Sequence, residues 1–372
     1  MRRRLRPLET GTDAVVRAGG RSLILCSSNN YLGLATHPAV VHAAAEATRR
    51  WGCGTGASRL VSGHLDLHET VERRLAAFED AEAALLFPTG YQANLGAITT
   101  LVGRGDHVFS DALNHASIID GCRLSRATVY VYPHGDLDAL GRLLADAPPG
   151  GRRLVVTDSV FSMDGDRAPL RGLVALARAY HSILMIDEAH ATGVLGPRGA
   201  GLADECDLAR EVTVRVGTLG KALGGQGAWV AGSRPLIDVL LNRARSFVFT
   251  TGLAPAAVAA AGAALDVVEA EPERRARVLE HADRLRRALR ALGWNAIGNT
   301  HVVPVVVGDN DATVALADHL LARDVLAHPI RPPTVPVGGA RIRLTPIATH
   351  TPDHIDQVVA AFADAGAERR RA

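Results

Sequence analysis

A chain of 372 residues is too long for one minimal core, so two domains are expected, and with aromatics at only 4% Ala, Val and Leu must do most of the packing. The 41 basic residues nearly cancel the 39 acidic ones, and a net charge of +2 excludes the electrostatic footprint of a nucleic-acid-binding protein. Arg2, Arg3, Arg4 and Arg6 at one end, and Arg369, Arg370 and Arg371 at the other, are expected to be solvated.

Apolar strand-like runs alternate with helical patterns, the rhythm of an α/β domain. "SLILCSS" (22–28) predicts a strand ending in the polar turn "NNYLG", and 37–52 predicts a helix stopped by glycine. A second helix over 67–80 has Leu67, Val71, Leu75 and Phe78 on one face. "AALLF" (83–87) predicts a strand, and 88–102 turns through Gly90 into a helix. Further strands are predicted at 107–111, 128–133 and 153–161. The helical pattern at 169–181 leads into the strand "SILMIDEAH" (182–190). "VTVRVGT" (212–218) precedes the loop "TLGKALGGQGA" (218–228), and "GAWVAGS" (227–233) follows it. The stretch 252–268 is nearly apolar, but its alanine content and Pro255 predict a buried helix and not a membrane span. A charged helix over 271–292 leads to strands at 301–307 and 340–347, separated by a helix near 312–323, and a last helix follows Thr351-Pro352. The expected organisation is an N-terminal segment (1–38), a large domain (39–270) and a smaller α+β domain (271–372).

Cys26, Cys53, Cys122 and Cys206 show no metal or disulfide spacing, which fits a reducing compartment. No charged segment followed by an apolar stretch opens the sequence, so a cytoplasmic setting is expected, with no membrane partner.

Two motif matches fail on their flanks. The Gly220-Lys221 pair would suit a phosphate-binding loop, but that motif needs a glycine where Arg215 stands and a hydroxyl where Ala222 stands. "DEAH" (187–190) spells a helicase acidic box, whose chemistry needs the same missing loop.

Lys221 is the only lysine in the chain; every other residue among the 41 is arginine. A primary amine can form a Schiff base with a carbonyl, whereas a guanidinium stays protonated. Lys221 directly follows a predicted strand, in a glycine-dense turn where backbone can approach a ligand closely. Pyridoxal 5'-phosphate is the cofactor whose needs match the remaining polar strand ends. Its ring nitrogen needs a carboxylate partner, and Asp187 ends the apolar run "SILMI". His190 is placed to reach the phenolic oxygen. Gly90 and Tyr91, opening a helix, offer backbone N–H groups to the phosphate. The alternatives stand beside these: a helix cap for Asp187, a loop hydrogen bond for His190, a solvent-facing charge on an alternating strand for Arg343.

Ordered blocks along nearly the whole chain resemble the α-oxoamine synthases, within fold-type I pyridoxal-phosphate-dependent transferases. They are "SSNNYLGL" (27–34), "GTGASRLVSGHLDLHETVE" (54–72), "NHASIIDG" (114–121) and "VFSMDGDRAPL" (160–170), then "MIDEAHATGVLGPRG" (185–199), "TLGKALGGQGA" (218–228), "IRPPTVPVG" (330–338) and "RIRLTPIATHT" (341–351). The resemblance implies a three-layer αβα large domain with a mainly parallel sheet, and a smaller α+β C-terminal domain. By it, Lys221 forms the internal aldimine, Asp187 pairs with the pyridine nitrogen, and His115 stacks on the ring. His190 and Ser162 lie near the phenolic oxygen, and Thr218 with the backbone of Gly90 and Tyr91 holds the phosphate. Thr250 and Thr251 would reach that phosphate from the neighbouring subunit of a homodimer with shared active sites. Asn29, Arg331 and Arg343 would face the substrates, Arg343 gripping the amino-acid carboxylate, while "RLVSGH" (59–64) shapes the acyl pocket.

The implied reaction is a decarboxylative condensation, through a quinonoid, of L-alanine with pimeloyl-CoA or a pimeloyl-carrier-protein thioester in biotin biosynthesis. The stretch "IRPPTVPVG" favours that member of the family over 5-aminolevulinate synthase, 2-amino-3-ketobutyrate CoA ligase and serine palmitoyltransferase. A non-catalytic relative would be expected to lack the lysine. Relatives also carry a helix with an arginine near the acyl substrate ahead of the first strand; here none of Arg2, Arg3, Arg4 and Arg6 is assigned that role.

Overall fold

The computed structural model describes residues 5–371; Arg2, Arg3 and Arg4 lie outside the described residues, as do the side chains of Arg369 to Arg371. Arg6 is exposed, and residues 5–14 form no helix. A hairpin follows, β1 (Val15–Ala18) and β2 (Arg21–Leu25), turned by Gly19 and Gly20.

Seven short apolar runs then become one sheet: β3 (Ala83–Phe87), β4 (His107–Asp111), β5 (Thr128–Tyr132), β6 (Arg153–Asp158), β7 (Ile183–Asp187), β8 (Val214–Thr218) and β9 (Ala228–Gly232). The order is β3-β9-β8-β7-β6-β4-β5. Only β9 runs against its neighbours; β8, β7, β6, β4 and β5 are parallel, as near-continuous runs of buried apolar residues require. The expected mainly parallel α/β sheet is therefore present. Its core is built from Leu85, Phe87, Val156, Met185, Val216 and Val230, closed by Ala93, Ala97 and Ile98 of the helix Gly90–Leu101.

The sheet's middle also shows what Arg215 does. The residue is 2% exposed, and its side chain donates from Nε to Glu79 Oε2 at 3.0 Å and shares that carboxylate with Trp229 Nε1 at 3.1 Å. The residue that breaks the phosphate-loop motif is a buried structural cation.

The remaining strands are β10 (Asn295–Ala296), β11 (Val303–Gly308), β12 (Val325–Leu326), β13 (His328–Ile330) and β14 (Ala340–Leu344). Four form an antiparallel sheet, β10-β11-β14-β13, while β12 joins β2 in parallel. The helices Glu273–Ala291, Asn310–Ala322 and Pro352–Arg371 belong with this sheet, sharing a core with Ile24, Val303, Ile342 and Phe362.

Contacts divide the chain into two units. One holds residues 38–161 and 167–270; the other combines residues 5–37, 162–166 and 271–371. Among the described residues, no helix is long and apolar enough to cross a membrane. The alanine-rich stretch is the helix Pro255–Ala270, with Val258, Ala261 and Leu265 buried.

Candidate active site

In a parallel sheet, ligands gather at the carboxyl ends of the strands, where the chain turns and helix N-termini point back. In the larger unit those ends carry Asp111 on β4, Asp158 on β6, Asp187 on β7 and Thr218 on β8. Lys221 follows three residues after Thr218 and is half-buried. Backbone bonds tie its loop: Gly225 N–H donates to Leu219 C=O at 2.8 Å, and Gly224 N–H to Lys221 C=O at 2.9 Å. Gly224 sits at φ 67°, and a Cβ on Gly227 (φ 115°) would come within 2.7 Å of Leu253, so both glycines are required by the fold itself. Gly220 and Gly225 carry no such constraint: a Cβ on either would meet only ordinary contacts.

Asp187 is 5% exposed, and both its carboxylate oxygens are held. Oδ1 accepts from Ala189 N–H at 2.8 Å, and Oδ2 accepts from Asn94 Nδ2 at 2.7 Å. Parallel register places Asp158 directly beside it. Burial, and then the Asp187 charge, push the Asp158 carboxyl well above the usual range, while the Lys221 ammonium opposes the shift. Asp158 also accepts the backbone N–H of His115 at 2.7 Å, anchoring that residue at the start of the helix Ala116–Ser125.

His115 caps that helix. The residue keeps an exposed side, yet the protein crowded around its ring disfavours the imidazolium and lowers its pKa; Asp187 opposes this and Lys221 adds to it. The structure thus brings Lys221, Asp187 and His115 within reach of one another's charge. Asn94 and Asp158 stand beside them, unflagged by sequence motifs, as does Ser117, which lies inside the "NHASIIDG" block without a role of its own there.

The helix Gly90–Leu101 starts where sequence reading places it. Thr89 caps it by accepting Gln92 N–H at 3.1 Å, and the first N–H groups of a helix have no partner within it. A Cβ on Gly90 would lie 4.0 Å from Thr218 Oγ1, so this helix start faces the entrance to the lysine loop. Thr218 Oγ1 donates to Gly227 C=O at 3.1 Å and accepts Gly220 N–H at 3.2 Å. Tyr91 is 43% exposed and its hydroxyl bonds Asp120. His190 is buried in the turn after β7, which bends back through Ala191 and Thr192 N–H groups to Glu188 C=O. Thr250 is half-buried and Thr251 exposed, the latter bridging to Ser58. In the "RLVSGH" segment the Arg59 guanidinium is paired with Glu72, while Leu60 and Val61 are exposed.

The second unit holds its own polar cluster. Arg343 lies on β14 at 7% exposure, so the alternating-strand reading of it as a solvent-facing charge does not hold. Its Nε donates to Ser162 C=O at 2.5 Å, one terminal nitrogen to Asn29 Oδ1 at 3.2 Å and the other to the Tyr31 hydroxyl at 3.3 Å. Tyr31, fully buried, also donates to Asn29 Oδ1 at 3.1 Å. The next arginine on that face, Arg341, is paired with Asp164 at 2.7 Å. Asn29, Ser162 and Arg343 are therefore brought together. Arg331 lies beyond them after β13, lining a cavity of about 780 Å³ with Leu8, Leu25, Leu326, His328 and Ile330.

These residues fit pyridoxal phosphate. A lone lysine follows one strand, a fixed carboxylate ends the next, an imidazole keeps an open side, and a helix N-terminus adjoins the lysine loop. Fold and site together define a pyridoxal-phosphate-dependent enzyme of fold type I. The family model for aminotransferase class I and II matches residues 21–362. An 8-amino-7-oxononanoate synthase from Geobacter sulfurreducens is 52% identical over 98% of this chain and 94% of its own. Among solved structures, a lysine-to-alanine variant of a serine palmitoyltransferase from S. paucimobilis, with a bound PLP–myriocin aldimine, superimposes with a TM-score of 0.93, at 33% identity, over 96% of this chain and 91% of its own. An 8-amino-7-oxononanoate synthase from Francisella tularensis gives 0.80 at 26% identity, over 94% and 99%. The chain belongs to the aminotransferase class I and II family and, within it, to the 8-amino-7-oxononanoate synthases of the α-oxoamine synthase group.

Proposed function

We propose that this protein condenses L-alanine with a pimeloyl thioester, of CoA or of a carrier protein, releasing the thiol and CO₂ to form 8-amino-7-oxononanoate for biotin synthesis. The observation that carries this reading is the 52% identity across nearly the whole chain, which contains the lysine, carboxylate and imidazole the chemistry needs. When bound, pyridoxal phosphate supplies the electron sink that stabilises a carbanion at the amino acid's Cα.

Each residue then has a defined task. The Lys221 amine would hold the cofactor covalently and, when free, would take the Cα proton as a general base. Asp187 keeps the pyridine nitrogen protonated. His115 covers one face of the ring, and His190 and Ser162 serve its phenolic oxygen. N–H groups of Gly90 and Tyr91, with Thr218, receive the phosphate, joined by Thr250 and Thr251 of the partner subunit in a homodimer. Asn29 and Arg331 meet the substrates. Arg343, already held on three sides, presents a planar fork to the alanine carboxylate.

Thiol release should be measured with alanine, glycine and serine, each crossed with pimeloyl, succinyl, acetyl and palmitoyl thioesters. Alanine with the pimeloyl thioester is expected to dominate; preference for glycine or serine would overturn the reading. For Arg343→Lys, KM for alanine is expected to rise about 10- to 100-fold with a smaller change in kcat, because an ammonium cannot keep the three fixed bonds and the bidentate grip together. An unchanged KM would remove Arg343 from the carboxylate site.

A further inference from the structure

Asn94 links Asp187, assigned to the pyridine nitrogen, to Ser117, which bonds His115, and no motif in the chain points to it. It is 1% exposed on the helix Gly90–Leu101. Its Nδ2 donates one hydrogen to Asp187 Oδ2 at 2.7 Å and the other to Ser117 Oγ at 2.9 Å. The reverse orientation would set the amide oxygen against a carboxylate oxygen, so these two acceptors determine which way the amide points. Its Oδ1 is buried and has no partner among the described residues.

Ser117 is fully buried and passes the constraint on. Ser117 Oγ, which accepts from Asn94, lies 2.8 Å from His115 Nδ1 and is free to turn its proton toward that nitrogen. That nitrogen also accepts the Ser117 backbone N–H at 3.3 Å. Two donors converge on Nδ1, which is therefore the unprotonated nitrogen, and the imidazole proton sits on Nε2.

We propose that Asn94 is a positioning residue that orients the Asp187 carboxylate and, through Ser117, holds His115 as the neutral Nε2–H tautomer. The proposal rests on the functional reading above, in which a protonated pyridine ring lies against His115. An imidazolium there would repel that ring; a neutral imidazole stacks on it without charge conflict. Around the His115 ring, burial and the Lys221 charge disfavour protonation and Asp187 favours it, while the hydrogen-bond chain selects the tautomer.

Nitrogen-15 NMR of histidine-labelled protein, prepared without cofactor and assigned against His115→Gln, reads the tautomer directly. Wild-type protein is expected to show an unprotonated Nδ1 and a protonated Nε2. Ser117→Ala, which leaves the Asn94–Asp187 bond and the residue-117 N–H intact, is expected to weaken the preference for that tautomer and raise the His115 pKa. Asn94→Ala is expected to do the same, to weaken pyridoxal phosphate binding by about 10- to 100-fold, and to shift the pH midpoint of the bound cofactor's visible absorption. A wild-type His115 protonated at Nδ1 would overturn the proposal, as would Asn94→Ala protein with wild-type cofactor affinity and pH midpoint. If Asn94→Ala does not fold, the wild-type and Ser117→Ala spectra still decide the tautomer. Wild-type protein that binds no cofactor would sink the functional reading, and the cofactor-free spectra would still judge the hydrogen-bond chain.

Discussion

Lys221→Arg is expected to fold normally and to be inert. The loop around residue 221 is held by backbone bonds and by Gly224 and Gly227, none of which depends on the lysine side chain. Arginine keeps the positive charge that Asp158 and His115 experience, so local electrostatics change little. What is lost is the ability to form an imine and to act as a base near neutral pH, because a guanidinium does not deprotonate in proteins. Turnover should fall by about 10³-fold or more, the scale of a removed general base with covalent attachment lost as well. Purified wild-type protein should be yellow, with a visible band that borohydride abolishes by fixing the cofactor to Lys221. The variant should show no such fixation. Lys221→Ala with an added small primary amine should recover part of the proton-transfer rate. Substantial turnover by Lys221→Arg would show that the only lysine in the chain is not the reactive amine.

Much of this architecture is legible because strands in a parallel sheet are apolar on both faces. Runs such as "AALLF" and "HVFSD" become β3 and β4 with the boundaries their composition predicts. The helices Leu137–Asp146 and Arg234–Arg243 are absent from the sequence reading, although Asp136 and Ser233 cap them with side-chain oxygens, the usual helix-start signal. The hairpin strand β1 has only four residues and runs into Gly19-Gly20, too short a pattern for periodicity to register. Lys221 and Asp187 stand out because each interrupts or ends an apolar run. Asp158 obeys the same rule, but "RLVVTDSVF" reads as one strand to Phe161 when it ends at Asp158. Asn94 and Tyr31 are invisible for another reason: their partners Asp187 and Arg343 lie 93 and 312 residues away, and only the folded chain sets them together. The glycines around Lys221 read as room for a ligand, and the structure divides them. Gly224 and Gly227 serve backbone conformation and packing, leaving Gly220 and Gly225 for any ligand-related role.

Asp187→Asn tests the carboxylate, and the hydrogen bonds around it allow its structural and chemical duties to be separated. Both oxygens of Asp187 accept, one from Ala189 N–H and one from Asn94 Nδ2. An asparagine has a single acceptor oxygen, so its NH₂ must face another donor, and an unsatisfied buried pair costs about 1–3 kcal/mol. A modest loss of stability is therefore expected even from this isosteric change. The larger loss is in activity: without the carboxylate the pyridine nitrogen is no longer held protonated, and turnover should drop about 10²-fold or more, the scale of removing one preorganised electrostatic partner. The double variant Asn94→Asp/Asp187→Asn exchanges the groups. Residue 187 would then donate to residue 94, the donor conflict is relieved, and Ser117 can turn its hydroxyl toward the new carboxylate. Melting temperature should recover toward wild type, while turnover should stay low because the negative charge has moved off the strand end that faces the cofactor. Full activity in Asp187→Asn would sink the assignment of Asp187. Recovery of activity in the exchanged pair would instead mean that net charge in this pocket suffices, wherever it sits.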